Sequence, residues 1–265
     1  MNSVSYPRIS ANRVFPIFSV LLFLLIWQIF ATIYSVRYLP SPINVIRAFI
    51  TLTYIGDIQG HTLLEHSLYS LWRVLLGVCL ATIIGIPLGL AAGWSRRFNW
   101  FVMPILDSIR PIPPLAWIPF AIAVFGLGLK SHVFIIFLGA FFPILTNTTS
   151  SVRATEKTYV DVAVLFGATS MQMLRKVVFP RSIPDILTGL RIGIGIGWMC
   201  LVASEMIGLL RPVGLGYLIQ SMVTFGRMGD AFAGMITIGL IGYLMNAIIL
   251  KTEKYLLVWR EERTE

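Results

Sequence analysis

The chain has 265 residues, of which 57% are hydrophobic and only 12% are charged, and its mean hydropathy is +0.81. Soluble domains carry about 25% charged residues, so this composition excludes an ordinary soluble enzyme, and it also excludes a disordered chain, a collagen and a disulfide scaffold. An integral membrane protein remains. A formal charge of +9 would suggest a nucleic-acid partner in a soluble protein, but in a membrane protein the positions of the basic residues relative to the lipid bilayer matter more than their sum.

Six apolar runs are candidates for membrane spans, because a hydrocarbon core needs roughly 20 residues of helix. The first run is uncharged and too long for the apolar part of a signal peptide, so we interpret it as an uncleaved anchor. The third is the weakest, because prolines crowd its start. The predicted spans are residues 14–34, 67–93, 114–128, 132–150, 186–209 and 231–250.

The basic residues predict the orientation of these spans. With the N-terminus inside, thirteen Lys and Arg lie in cytoplasmic segments and six lie on the outer side, as the positive-inside rule expects. The six on the outer side are Arg37, Arg47, Arg73, Lys130, Arg211 and Arg227. Residues 1–13 and 252–265 are therefore predicted to be cytoplasmic tails, on either side of a transmembrane region at 14–251.

One cytoplasmic connection, residues 152–185, is much longer than the others. Its apolar residues recur at helical spacing, and Pro180 and Pro184 are expected to close it. These apolar positions are Val160, Ala163, Val164, Gly167, Met171, Leu174 and Val178. We interpret the segment either as a surface helix lying on the bilayer or as a docking element for a cytoplasmic partner.

Small residues recur at every fourth position in the second and fifth spans. The series are Gly77, Ala81, Gly85, Gly89 and Gly93, and Gly189, Gly193 and Gly197. This spacing lets helix backbones approach closely, so we expect close packing within one subunit, with packing across a dimer as the minority alternative.

No catalytic constellation can be assembled from the sequence. The three histidines lack the spacing of zinc ligands, and no HExxH or GxSxG pattern is present. Segments 126–131 and 193–198 each lack a glycine that a phosphate loop or a dinucleotide fingerprint requires. We therefore expect a chain that is not an enzyme and binds neither nucleotide nor metal.

Two charges in the fifth span are candidates for a transport path. Arg191 and Glu205 are fourteen residues apart, which places them on roughly the same side of a helix about 21 Å apart. They could line a path, or Arg191 could extend to the headgroups while Glu205 bonds a loop such as the one carrying Arg211.

The proline-rich segment that contains Arg110, Pro114 and Trp117 predicts a broken helix. Such a break is tolerated in a membrane where protein or water covers it, often beside a transport path. A simple kink is the alternative.

Three segments carry a resemblance to a known family. Residues 161–180 read DVAVLFGATSMQMLRKVVFP, which resembles the EAA signature of ATP-binding-cassette (ABC) importer permeases: E-A-A, three residues, G, nine residues, then I-x-L-P. Asp161 replaces the Glu, and Val162, Val177 and Phe179 are the other departures. RPIPPLAWIP at 110–119, and SEMIG at 204–208 followed by GLGYLI at 214–219, resemble the nitrate/sulfonate/taurine/bicarbonate subfamily.

The resemblance, which extends over residues 14–255, implies the all-α, MetI-like fold of a type I importer permease with about six transmembrane helices in a prokaryotic inner membrane. It implies two permease subunits, expected to be a homodimer, with two ABC ATPase subunits below them that bind the ATP and Mg. An extracytoplasmic binding protein would deliver a small, anionic solute. Asp161, Ala163 and Gly167 would contact the ATPase, and Phe179 and Pro180 would end the motif.

Two other classes of protein remain as alternatives. An ion-coupled secondary transporter would need a titratable or cation site at the membrane midplane, and only Glu205 approaches that requirement. An intramembrane enzyme is the weaker alternative, because the sequence has no paired catalytic groups.

Overall fold

The computed structural model describes residues 14–33, 39–207 and 212–256, and all regular structure in these ranges is helical. The predicted tail at 1–13 and most of the predicted tail at 252–265 lie outside the described residues. The α-helices in these ranges are α1 (Val14–Ile33), α2 (Pro42–Tyr54), α3 (Leu63–Trp94), α4 (Arg96–Ile109), α5 (Ile118–Phe125), α6 (Leu129–Arg153), α7 (Lys157–Leu165), α8 (Ser170–Met173), α9 (Phe179–Met206), α10 (Leu215–Thr224) and α11 (Met228–Leu256). A 3₁₀ turn at Pro114–Trp117 precedes α5, and a π turn at Leu174–Val178 joins α8 to α9.

Four helical stretches are long and apolar enough to cross a membrane. They are Leu63–Trp94, Leu129–Arg153, Ser170–Met206 and Met228–Tyr255. Helices α4 and α5 pass the same test only as a pair, bent by 83° at the break between them, and α1 supplies a shorter apolar helix. In chain order these six units correspond to the six predicted spans.

The third predicted span was wrong in its extent. Helix α5 has only eight residues, and its companion is α4, which the sequence analysis assigned to a cytoplasmic connection. Helix α4 is amphipathic, because it begins with Arg96 and Arg97 and also carries Asp107. A search for long apolar runs therefore does not detect it.

The prediction that Pro180 and Pro184 close the long connection was also wrong. Helix α9 begins at Phe179 and is continuous through the π turn with α8, so that one helical stretch extends over Ser170–Met206. Pro180 lies in the first turn of α9, where a missing N–H is tolerated. In the π turn, the N–H of Phe179 donates to the carbonyl of Leu174, five residues earlier.

Helix α6 lies between the two small-residue series. A Cβ on Gly89 of α3 would lie 2.7 Å from Cβ of Thr148, and one on Gly193 of α9 would lie 2.9 Å from the carbonyl oxygen of Ala140. Since real Cβ atoms do not approach so closely, only glycine permits these helix–helix contacts. Both series therefore pack against α6 of the same chain, as predicted.

The packing gives the molecule two distinct ends. At one end, Ser70 of α3 bonds Glu205 of α9, and His132 of α6 bonds Ser204. At the other end, Ser151 of α6 donates to Asp185 of α9. We call these the Glu205 end and the Asp185 end; α7 lies at the Asp185 end because it directly follows α6.

Candidate functional site

Helix α7 carries the first part of the EAA-like motif on an open surface. None of its residues is buried; Asp161 is exposed and Ala163 is half-buried. At its C-terminal end, the side chains of Leu165 and Phe166 are 85% and 86% exposed. Two adjacent large apolar side chains this open to solvent indicate an interaction surface, which we call the α7 patch.

Gly167 ends α7 with a backbone conformation that favours glycine. Its φ is +74°. Its N–H donates to the carbonyl of Val164 at 2.9 Å, and the N–H of Ala168 donates to the carbonyl of Ala163 at 3.0 Å. A Cβ on Gly167 would meet nothing within 4 Å, so the space beside it is open. The sharp turn leaves Leu165 and Phe166 at the tip of the connection.

The connection returns to the membrane region through a well-capped second helix. Thr169 and Gln172 form a capping box at the start of α8, with the side-chain oxygen of each accepting the backbone N–H of the other. The hydroxyl of Ser170 accepts a hydrogen bond from the indole of Trp94 on α3 at 3.2 Å. Of the motif residues, Asp161 and Ala163 lie on α7, and Gly167 lies in the turn that follows it.

Phe179 and Pro180, by contrast, lie at the start of α9 and are exposed. The structure therefore separates the two halves of the motif by the α8 helix and the π turn. The sequence motif missed the α7 patch: Leu165 and Phe166 are not among its positions, although two adjacent apolar residues before the glycine were a visible signal.

Arg110, Pro114 and Trp117 lie at the break between α4 and α5. Arg110 caps the C-terminus of α4 and is exposed, while Pro114 and Trp117 belong to the 3₁₀ turn and are half-buried. The Trp117 ring meets that of Phe120 edge-on, with 5.6 Å between centroids. The predicted broken helix is confirmed, and the role of these residues in a transport path stays a prediction.

Arg191 is paired instead of extending alone to the headgroups. Its Nη1 donates to Glu253 Oε2 of α11 at 3.2 Å. The two helices leave a cleft of about 280 Å³ beside this pair, with Arg191 and Trp198 on the α9 side and Asn246 on the α11 side.

Glu205 is fully buried and forms an ion pair with Arg73 of α3. Its carboxylate also accepts hydrogen bonds from the hydroxyl of Ser70 at 2.9 Å and from the N–H of Gly216 at 3.0 Å. Arg73, which was predicted to lie on the outer side, has its side chain buried at the Glu205 end. Glu205 was predicted either to line a path or to bond a loop such as the one carrying Arg211. These contacts match the second interpretation, and Arg211 itself lies outside the described residues.

The same loop is held by a second group of polar contacts. The Nδ1 atom of His66 accepts the N–H of Gly214 at 2.9 Å, and its Nε2 lies 3.3 Å from Asp57 Oδ2. Ser70 Oγ accepts the N–H of Leu215 at 2.9 Å. A neutral imidazole that accepts at Nδ1 carries its proton on Nε2, facing Asp57. We call Asp57, His66, Ser70, Arg73, Glu205 and the 214–216 backbone the Glu205 network.

The Glu205 network was not predicted as a unit. Its available signals were two charges inside apolar runs, Arg73 in the run at 67–93 and Glu205 in the fifth predicted span. Its contacts join α3, the end of α9 and the start of α10. Within the described ranges, no group of three His, Cys, Asp or Glu could hold a metal ion.

This helical arrangement has a counterpart among solved structures. It superposes on a chain of the MetNI methionine ABC transporter in an inward-facing conformation with a TM-score of 0.65. The match covers 73% of this chain and 95% of the other at 20% sequence identity. The fold is therefore the MetI-like fold of type I ABC importer permeases, as predicted.

The sequence comparisons agree with the fold. Residues 85–254 match the family of binding-protein-dependent transport system inner membrane components. A Methanocaldococcus jannaschii protein named as an ABC transporter permease is 44% identical, over 78% of this chain and 77% of its own length. The taurine transport system permease protein TauC of Escherichia coli is 34% identical (90% and 87%), and the bicarbonate transport system permease protein CmpB of Synechococcus elongatus is 33% identical (91% and 88%).

This chain belongs to the binding-protein-dependent transport system inner membrane components, as a permease subunit of an ATP-driven importer. Members of this family work with an ATPase and with a solute-binding protein. This membership favours the importer interpretation over an ion-coupled transporter that acts without an ATPase.

Proposed function

We propose that this chain imports a small solute carrying an oxyanion group, and that the α7 patch transmits the conformational change of a separate ATPase. The names of two relatives, which specify taurine and bicarbonate transport, support the solute class, because both molecules carry a small anionic group. The exposure of Leu165 and Phe166 is the observation that carries the docking part of the proposal.

The residues around the α7 patch have complementary parts in this proposal. Leu165 and Phe166 enter an apolar groove of the ATPase, and Gly167 permits close approach because nothing occupies the space where its Cβ would stand. Asp161 and Ala163 contact the rim of that groove. Phe179 and Pro180 begin α9, so a displacement of the α7–α8 unit passes directly into a membrane-spanning helix.

The remaining parts of the proposal concern orientation and assembly. The Asp185 end faces the cytoplasm together with the tails at 1–13 and 252–265, and the Glu205 end faces the binding protein. Two copies of the 14–251 region form the path. ATP and Mg bind to the ATPase, so this chain performs no chemistry. The path is bordered by Arg110, Pro114, Trp117 and Arg191, and Glu205 holds the loop at its outer end.

The test is reconstitution of the permease with its ATPase and binding protein in proteoliposomes. Leu165→Asp replaces a side chain that is 85% exposed in the isolated chain, so the fold should tolerate it. We expect its assembly with the ATPase to weaken about tenfold or more, because burial of one leucine is worth at least ~1.4 kcal/mol. Stimulation of ATP hydrolysis by the loaded binding protein should fall in parallel.

Tyr255→Asp is the matched control, because Tyr255 lies on α11 at the same end and is 71% exposed. It should assemble and couple as the unmodified chain does. Normal assembly of Leu165→Asp would refute docking through the α7 patch. Solute uptake that continues without any ATPase would instead support an ion-coupled transporter.

A further inference from the structure

The cleft between α9 and α11 lies near the middle of α9 and in the C-terminal half of α11. It is bounded by residues 191–198 of α9, whose range is Phe179–Met206, and by residues 242–249 of α11, whose range is Met228–Leu256. The empty space between the two helices is about 280 Å³, part of which is open to the surroundings. Gly195 and Gly242 contribute to this space: a Cβ on Gly195 would meet nothing within 4 Å.

Hydrogen-bond donors predominate among the polar groups of the cleft. Trp198 is only 7% exposed, and its indole nitrogen has no hydrogen-bond partner among the described residues. That nitrogen lies 3.3 Å from the point that a Cβ on Gly242 would occupy, so the missing side chain leaves space beside the N–H. A buried N–H without an acceptor is unfavourable, and a bound acceptor would remove that cost.

The other two donors lie along the same cleft towards the Asp185 end. Asn246 is exposed, and its side chain makes no hydrogen bond to the described part of the chain. The guanidinium of Arg191 has five N–H donors, and within the described residues its partner is Glu253. An anion entering the cleft would compete with Glu253 for Arg191, so its binding would be reversible.

These groups do not suit contact with lipid tails. A guanidinium and an amide in a hydrocarbon environment are costly, and such groups almost always face a water-filled cavity or the interior of the assembly. We infer that the α9–α11 cleft faces the solute path and binds the oxyanion group of the solute through Arg191, Asn246 and the indole N–H of Trp198. This inference rests on the proposed function and adds a site within the permease itself.

The site can be tested without knowledge of the natural solute. A cysteine is placed in the cleft, and its rates of reaction with an anionic and a cationic reagent are compared. Gly195→Cys, with Cys79 and Cys200 changed to alanine, is assembled with the ATPase in phosphatidylcholine nanodiscs. Two methanethiosulfonate reagents are compared, the anionic 2-sulfonatoethyl and the cationic 2-trimethylammonioethyl compound. Each rate is divided by the reagent's rate with 2-mercaptoethanol. Labelling of this chain is followed by mass spectrometry.

We expect the normalised rate of the anionic reagent to exceed that of the cationic one roughly fivefold, because residues 191 and 195 are one helical turn apart and a guanidinium acts at short range. Arg191→Gln should remove this preference, and methanesulfonate should slow the labelling. The control is Leu244→Cys, which is 56% exposed at the same depth on the opposite side of α11 and should react slowly with both reagents.

Several results would overturn the inference. Equal labelling of Gly195→Cys and Leu244→Cys would place the cleft against lipid. A preference for the cationic reagent would show that Glu253 dominates the site. Protection by phosphatidylglycerol in the nanodisc, but not by methanesulfonate, would identify a lipid headgroup as the ligand. Because labelling needs no transport, its failure is distinguishable from failure of the importer to take up solute.

Discussion

The carboxylate of Glu205 is a buried charge whose environment compensates the cost of burial. Removing a carboxylate from water is unfavourable unless a counter-charge and hydrogen-bond donors replace the water. Arg73 supplies the charge, and the hydroxyl of Ser70 and the N–H of Gly216 supply two of the donors. Gly214 completes the arrangement, because a Cβ there would lie 2.7 Å from both Arg73 Nη1 and Glu205 Oε1.

A double-mutant cycle would measure the dependence of the two charges on each other. We expect Glu205→Gln and Arg73→Met each to lower the free energy of unfolding by about 3–5 kcal/mol, because each leaves one buried charge unpaired. The double variant should lose clearly less than the sum of the two. Thermal unfolding in detergent, with circular dichroism as the probe, gives these values.

Glu156→Gln is the control for this cycle, since Glu156 is exposed and makes no side-chain cap at the start of α7. Its unfolding free energy should stay within about 0.5 kcal/mol of the unmodified chain. Strictly additive losses for Glu205→Gln and Arg73→Met would mean that the two charges are not energetically coupled.

At the scale of whole helices, the sequence predicted elements where one physical signal dominated. Long apolar runs predicted α1, α3, α6 and α11, and the small-residue series predicted close packing within one subunit. Helices α2, α4 and α10 were missed because they are short or amphipathic, with 13, 14 and 10 residues.

The Glu205 network could not be predicted for a different reason. Ser70 and Glu205 are 135 residues apart in sequence, and His66 and Gly214 are 148 apart, so only the folded chain brings them together. The EAA-like motif located α7 and its final glycine, since local spacing determines both. The exposure of Leu165 and Phe166 depends on tertiary packing, which no motif encodes.

The turn that ends α7 can be tested with an unusually close control. Gly167 and Gly226 have φ of +74° and +73°, and a Cβ on either would meet nothing within 4 Å. Each also ends its helix with the same pattern of two backbone hydrogen bonds, so valine at either position incurs a similar backbone cost, roughly 1–2 kcal/mol. We expect Gly167→Val to reduce the ATPase stimulation produced by loaded binding protein, and Gly226→Val, at the turn between α10 and α11, to leave it unchanged.

Gly167→Asn distinguishes the backbone conformation of the turn from the space that the ATPase needs beside it. Asparagine adopts a positive φ more readily than valine, but it also adds a side chain. If backbone geometry alone matters, the asparagine variant should keep most of the stimulation. If close approach of the ATPase matters, it should lose stimulation as the valine variant does. Equal loss in Gly226→Val and Gly167→Val would show that the effect is general instability and not coupling.

For the molecule as a whole, the orientation in the membrane stays a prediction. With the buried Arg73 set aside, five basic residues remain on the predicted outer side against thirteen on the predicted cytoplasmic side. Helices α3 and α6 run from the Glu205 end to the Asp185 end, and α9 runs back, so one assignment of sides determines all of them. The positive-inside rule then predicts that the Asp185 end faces the cytoplasm.

Cysteine accessibility in oriented membrane vesicles tests this assignment. Phe166→Cys at the Asp185 end and Tyr54→Cys at the end of α2 replace side chains that are 86% and 82% exposed, so both thiols should be reachable in a background without Cys79 and Cys200. In inverted vesicles a membrane-impermeant maleimide should label Phe166→Cys and spare Tyr54→Cys, and right-side-out vesicles should give the reverse. Labelling of both variants from one side would contradict the order of the spans. The opposite pattern would place the α7 patch outside the cell, where no ATPase could reach it, and would refute coupling through α7 even though the fold were correct.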